Sequence, residues 1–273
     1  MNFCYRHPDR EAYVRCQRCE RFICPACQTE AAVGFLCPDD SGRSAVNATV
    51  TKLMPRRARI ALGRGAPVAT ISIMAICAVV FAAQLLLPGV TQNFAYAPVA
   101  TEYEPWRMVT SMFLHSPVDF MHILLNMWSL WAVGRVLEYL LGARRFIWLY
   151  LLAGFGGSVG VLLLADPATV VIGASGAIFG LMGAYFAVMR GMGNASTSMG
   201  AVVALNLVAG FLIPNVAWQA HVGGLLVGLL VGFIYSRTRS VSAGKMQTFY
   251  LILVGLGLVA LTMVGIAKIG LGF

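Results

Sequence analysis

A serine hydroxyl becomes a nucleophile when an imidazole stands close enough to take its proton. The sequence offers such a pair in Ser175 and His221. Each is set in an apolar stretch, where a polar side chain is costly and is therefore a functional candidate. Ser175 precedes Arg190 by 15 residues, and His221 precedes Arg237 by 16. At 1.5 Å per helical residue these are roughly 22 and 24 Å. With both arginines at one membrane face, the two side chains share one depth, about a quarter to a third of a ~30 Å core below the other face. His122 and Asn126, spaced i and i+4, share one face of a further apolar stretch. The Asn126 amide has no acid–base role; it is either a donor aimed at developing negative charge or an interhelical hydrogen bond. Gln84, Ser129, Ser158 and Asn206 are read as polar groups satisfied by neighbouring carbonyls. Ser175 lies in Gly173-Ala174-Ser175-Gly176, and residue 177 is Ala, so the G-x-S-x-G elbow of α/β-hydrolases is excluded.

A second chemistry is written in the first 40 residues. They hold six of the seven Cys, as Cys4-x2-His7, Cys16-x2-Cys19, Cys24-x2-Cys27 and Cys37-x2-Asp40. Four pairs at x2 spacing are a metal-binding pattern, with zinc the expected ion. Disulfides are the alternative, and they fit badly with a cytoplasmic N-terminus. The pattern resembles a B-box-type cross-braced finger. That resemblance implies one structural zinc on Cys4, His7, Cys24 and Cys27 and another on Cys16, Cys19, Cys37 and Asp40, with Asp39 as a competitor for the last place. The head carries five Arg against six acidic residues, which gives no basic face for nucleic acid. A cytoplasmic protein partner is expected for it. Cys77 is read as core filler.

The elements that must position the Ser–His pair are membrane helices. The chain has 273 residues, 59% apolar and 11% charged, against about 25% charged in soluble domains. Seven spans are expected, at roughly 67–87, 120–141, 146–165, 170–189, 197–213, 217–235 and 247–267. No signal peptide is expected ahead of them, because residues 1–40 are Cys-rich and charged. Residues 41–65 read as a basic linker. Lys and Arg gather on alternate flanks: the 43–64 cluster, Arg144 with Arg145, Arg190, then Arg237, Arg239 and Lys245. The positive-inside rule then puts the N-terminus in the cytoplasm and the C-terminus outside. A bacterial cell membrane is the expected setting. The net charge of +9 thus reflects topology. The loop at 88–119 is apolar enough to pack on the bundle or dip into the interface. His115 at its end is read as facing water, and Arg135 with Glu138 as an interfacial ion pair. Gly224, Gly228 and Gly232 form a bare ridge on one span, and Gly176, Gly180 and Gly183 mark another, so the helices carrying His221 and Ser175 can approach closely.

Four motifs occur in order: Glu102-x3-Trp106-Arg107, His122-x3-Asn126, Gly173-Ala174-Ser175-Gly176, and Ala220-His221-Val222-Gly223-Gly224. Together they resemble the rhomboid family of intramembrane serine proteases, over about 67–236. The resemblance implies an all-α membrane fold of six core helices plus a seventh, preceded by the small cross-braced head. The expected boundaries are 1–40 for the head, 41–65 for the linker, 66–236 for the core, and 237–273 for the connector and seventh helix. It implies that Ser175 attacks and His221 takes the proton, without metal or carboxylate. Asn126, His122 and the Ser175 N–H would hold the oxyanion, and Trp106 and Arg107 would have a structural place in the first loop. Many members carry Tyr where Phe179 stands, which can stack on His221 but offers no hydroxyl. Substrates would be transmembrane proteins within the lipid bilayer. An inactive relative that binds membrane clients is the alternative. A transporter fits less well, because the polar residues cluster near one face.

Overall fold

The structure, a computed structural model, describes residues 2–30, 34–41, 66–191, 197–212 and 216–270. The expected basic linker lies, from residue 42 on, outside the described residues.

The head is built on two short antiparallel hairpins. β1 (Val14–Arg15) pairs with β2 (Phe22–Ile23), and β3 (Thr29–Glu30) with β4 (Phe35–Leu36). Apart from cysteines, its buried apolar core among the described residues consists of Ala12, Ile23 and Leu36. A core of that size does not hold a fold of about 40 residues without a further crosslink.

Beyond the head the chain is helical. The long helices are α1 (Val68–Leu86), α2 (Phe120–Leu141), α3 (Ala143–Leu164), α4 (Ser175–Gly191), α5 (Thr197–Leu212), α6 (Trp218–Arg237) and α7 (Gly244–Gly270). Among the described residues, five of them (α1, α2, α3, α6 and α7) are long and apolar enough to cross a membrane. α4 and α5, of 17 and 16 residues, are shorter. The helices are apolar nearly all round, since lipid and protein interior are equally apolar solvents for them. Burial separates centre from edge: 61% of the α3 span window is buried, against 17% for α7.

α4 packs closely against α3 and α6, and glycine permits this. A Cβ on Gly224 would overlap the Gly176 carbonyl, and one on Gly228 the Gly180 carbonyl. Without side chains between them, the two backbones meet directly. This crossing fixes the height of Ser175 relative to His221.

Three expectations are corrected. The fourth span begins at Ser175, not near residue 170. Pro167 and a left-handed Gly173 (φ 125°) interrupt the helix. The extended stretch between them bridges Val171 to Tyr96 through paired backbone bonds of 2.8 and 3.1 Å. Glu138 does not pair with Arg135. Its carboxylate accepts from the backbone N–H groups of Ala69 and Thr70 and from the Thr70 hydroxyl, at 2.7–2.8 Å. It thereby caps the first turn of α1, whose N–H groups have no helical partner. Arg135 instead lies over the Trp131 ring. Finally, His115 is fully buried.

The first loop packs on the bundle, with Met108, Met112 and Leu114 buried while Tyr103 and Trp106 stay exposed. Arg107 ties it together through an ion pair to Glu104 (2.7 Å) and donation to the Ala95 and Gln92 carbonyls.

Candidate active site and metal clusters

Ser175 opens α4, since Ile178 N–H already bonds the Ala174 carbonyl. Its own N–H therefore has no intrahelical partner, and the positive end of the helix dipole points at its side chain. His221 stands in the first turns of α6 and is 7% exposed. The two meet, with His221 Nε2 3.0 Å from Ser175 Oγ. A hydroxyl at this distance can pass its proton to the ring. The ring orientation has two visible causes. Phe179, one turn below Ser175, stacks on it with centroids 4.2 Å apart and planes 15° apart. Gly210 of α5 brings its backbone against the far edge, where a Cβ would lie 3.1 Å from Nδ1. Nδ1 is buried without a hydrogen-bond partner among the described residues.

His122 and Asn126 line the same end of the bundle. Gly173 lies against His122: a Cβ there would stand 2.8 Å from Nε2 and 3.9 Å from Ser175 Oγ. Its left-handed backbone and this contact both call for glycine. His122 Nδ1 accepts from the Ser116 N–H at 3.2 Å, which turns Nε2 toward Gly173 and the serine. Asn126 Nδ2 donates to the His122 carbonyl one turn back, at 2.8 Å, and its Oδ1 is buried without a partner among the described residues. The His122 ring and the serine's own free backbone N–H thus stand beside Ser175, while the Asn126 amide lies one turn along α2 from His122.

Trp106 and Arg107 stand in the first loop, not among these donors. Behind His122 lies His115, ring centroids 5.3 Å apart. Burial, and then the neighbouring His122, push it down to about 4, so it stays neutral. Gln84 of α1 holds the His115 backbone from both sides, donating to its carbonyl at 2.9 Å and accepting from its N–H at 3.0 Å. Sequence reading treated Gln84 as incidental and His115 as solvated; their spacing in sequence gave no sign that they meet.

A rhomboid domain model matches residues 102–238, half of the chain. The chain belongs to the rhomboid family. It is 38% identical over 141 residues to RHOMBOID-like protein 5 of Arabidopsis thaliana, covering 49% of this chain and 45% of that one. It is 30% identical over 158 residues to the rhomboid protease GluP of Bacillus subtilis, covering 56% and 30%. It is 35% identical over 136 residues to the putative rhomboid protease YdcA of the same bacterium, covering 48% and 67%. The chain spans less than half the length of the first two.

This rhomboid carries in its head two side-chain clusters that could each hold a metal ion, with four ligand atoms within 4.8 Å of one another. In the first, His7 Nδ1 stands 3.8, 3.5 and 3.4 Å from the Cys4, Cys24 and Cys27 sulfurs. Tetrahedral N/S coordination at zinc bond lengths gives an edge of about 3.6 Å. In the second, Cys19 and Cys37 sulfurs are 3.7 Å apart, and Asp40 Oδ2 lies 3.3 and 3.2 Å from Cys16 and Cys37. Asp39 is turned away into an ion pair with Arg21 at 3.0 Å.

Three thiolates and a carboxylate carry more negative charge than a divalent ion cancels. Two arginines surround this second cluster. Arg21 donates to Cys19 Sγ at 3.1 Å, and Arg18 pairs with Asp40 at 3.5 Å. Arg18 also reaches the membrane core. It donates to the Glu138 and Tyr139 carbonyls at 3.4 and 3.2 Å, at the C-terminus of α2. That helix end carries partial negative charge, so a guanidinium is favoured there. Its guanidinium fills the space over Gly142. The head therefore sits at the end of the bundle opposite Ser175 and His221.

Proposed function

We propose that this rhomboid is an intramembrane serine protease that uses Ser175 and His221 as its catalytic dyad. The carrying observation is the 3.0 Å approach of Ser175 Oγ to His221 Nε2 at the N-terminus of α4. The hydroxyl oxygen attacks the carbonyl carbon of a peptide bond in or near a transmembrane segment. Its proton passes to Nε2, and a C–O bond forms. The carbonyl oxygen becomes an anion held by the Ser175 N–H, the Asn126 amide and His122 Nε2. The imidazolium returns its proton to the leaving amine as the C–N bond breaks. Water, activated by the neutral ring, then releases the acyl group from Ser175. The protease name of GluP, and that of YdcA, support the reading.

The proposed substrates are transmembrane proteins, and zinc is the proposed ion in both head clusters, with a structural role. A bacterial cell membrane is the proposed setting, with the head cytoplasmic and the C-terminus outside, on the strength of the arginine and lysine distribution. The proposed division is 1–40 head, 41–65 linker, 66–236 core, and 237–273 connector with the last helix. The head is proposed to bind a cytoplasmic protein.

The test is cleavage of a model transmembrane substrate by purified protein in liposomes, together with labelling by a fluorophosphonate probe. Wild type cleaves and is labelled at Ser175; Ser175→Ala does neither. Full cleavage by Ser175→Ala would overturn the assignment of the nucleophile. Failure of folded wild type both to cleave and to react would favour a client-binding role.

A further inference from the structure

We propose that the groove between α6 and α7 is a binding site for one anionic phospholipid, with its acyl chains between the helices and its headgroup on Arg237. The groove has a volume of about 880 Å³. Its walls are apolar, among them Leu230, Phe233, Val254, Gly257 and Leu261, save for Arg237, Thr238 and Tyr250 at one end. Its outer rim, formed by Leu226, Leu230 and Phe233, is about half exposed or more and faces the lipid phase.

Length selects the occupant. The groove runs from Leu226 to Arg237 on α6 and from Tyr250 to Leu261 on α7, eleven residue steps on each. At 1.5 Å per step that is about 16 Å, the depth of one leaflet of a ~30 Å hydrocarbon core. A transmembrane peptide would need a groove twice as long. The acyl chains of a lipid in one leaflet fill this one.

Charge selects the headgroup. Arg237 is exposed at the groove's end, its guanidinium 5.1 Å from the centre of the Phe233 ring. It makes no ion pair among the described residues, and the sequence contains no Asp or Glu after Asp166. Lys245 opens α7 at the same membrane face. Thr238 cannot serve as the donor, because its hydroxyl is committed to the Ile234 carbonyl at 2.7 Å. A planar guanidinium pairs with phosphate through two parallel bonds, and a basic residue at the surface favours anionic lipid. The site is separate from the dyad: it lies at the other end of α6 from His221.

The experiment is native mass spectrometry of the full chain, stripped of lipid in detergent and titrated with phosphatidylglycerol or phosphatidylcholine of identical acyl chains. Wild type should retain one phosphatidylglycerol with a Kd at least about fivefold below that for phosphatidylcholine, the effect of about one surface cation. Arg237→Gln should bring the two lipids to equal affinity. Gly257→Leu should weaken both, since a Cβ there meets nothing within 4 Å and the new side chain enters the groove without straining the helix. An unchanged phosphatidylglycerol preference in Arg237→Gln overturns the headgroup assignment. Wild-type affinity for both lipids in Gly257→Leu overturns the groove.

Discussion

Among the described residues no carboxylate stands behind His221, so its orientation comes from packing. Phe179 covers one face of the ring, and the Gly210 backbone closes the edge at Nδ1. Phe179 supplies this stacking face without a hydroxyl. Under the proposed mechanism the donors across the site do different work. The Ser175 N–H is fixed by the helix that starts there, and His122 is fixed by the Ser116 N–H. Asn126 is the adjustable one. Its amide now bonds the His122 carbonyl, and one further N–H remains for an incoming charge. Under the proposed mechanism, Asn126→Ala lowers kcat by about 10²–10³ with KM little altered, the cost of one oxyanion donor. Steady-state cleavage in liposomes reads this, and an unchanged kcat would remove Asn126 from the oxyanion site.

At the scale of helices, the site depends on two backbones touching. Gly228→Val would drive a branched side chain into the Gly180 backbone, which has no room to yield. The expected outcome is loss of the folded state or of cleavage, read by thermal unfolding in detergent, whereas Gly257→Ala in open space should leave both unchanged. The glycine ridge was legible in the sequence because its i, i+4, i+8 period names a helix face. The common depth of Ser175 and His221 was legible from the arginines that mark the other face. The start of α4 was missed: the apolar run continues back through residue 170, and hydropathy does not register that Val171 pairs with Tyr96. Glu138 was misread for a related reason. Arg135 three residues before it is an obvious local partner, whereas the orphaned N–H groups of α1 lie 68 and 69 residues away in sequence. Glu138→Ala leaves those buried donors unsatisfied and should lower stability by about 3 kcal/mol. Thermal or denaturant unfolding checks it, and a change below about 0.5 kcal/mol would mean that water replaces the cap.

At the scale of the whole molecule, the head and the Ser–His pair occupy opposite ends of the bundle, and Arg18 is the visible joint between head and core. It touches Asp40 of the second cluster on one side and the last carbonyls of α2 on the other. Among the described residues the head's own apolar core is small, so under the proposed zinc assignment its shape depends on the two clusters. Removing the metal should therefore unfold the head and release Arg18 from α2. The bundle keeps its glycine crossing, which does not involve the head. A chelator should make residues 1–40 sensitive to protease while Ser175-dependent cleavage in liposomes persists within a few-fold. Arg18→Ala should leave the metal content unchanged and still loosen the head from the core, read as faster proteolysis in the segment that joins them. Abolition of cleavage by chelation alone, with the bundle still folded, would show that the head controls the site across the membrane and not only its own attachment.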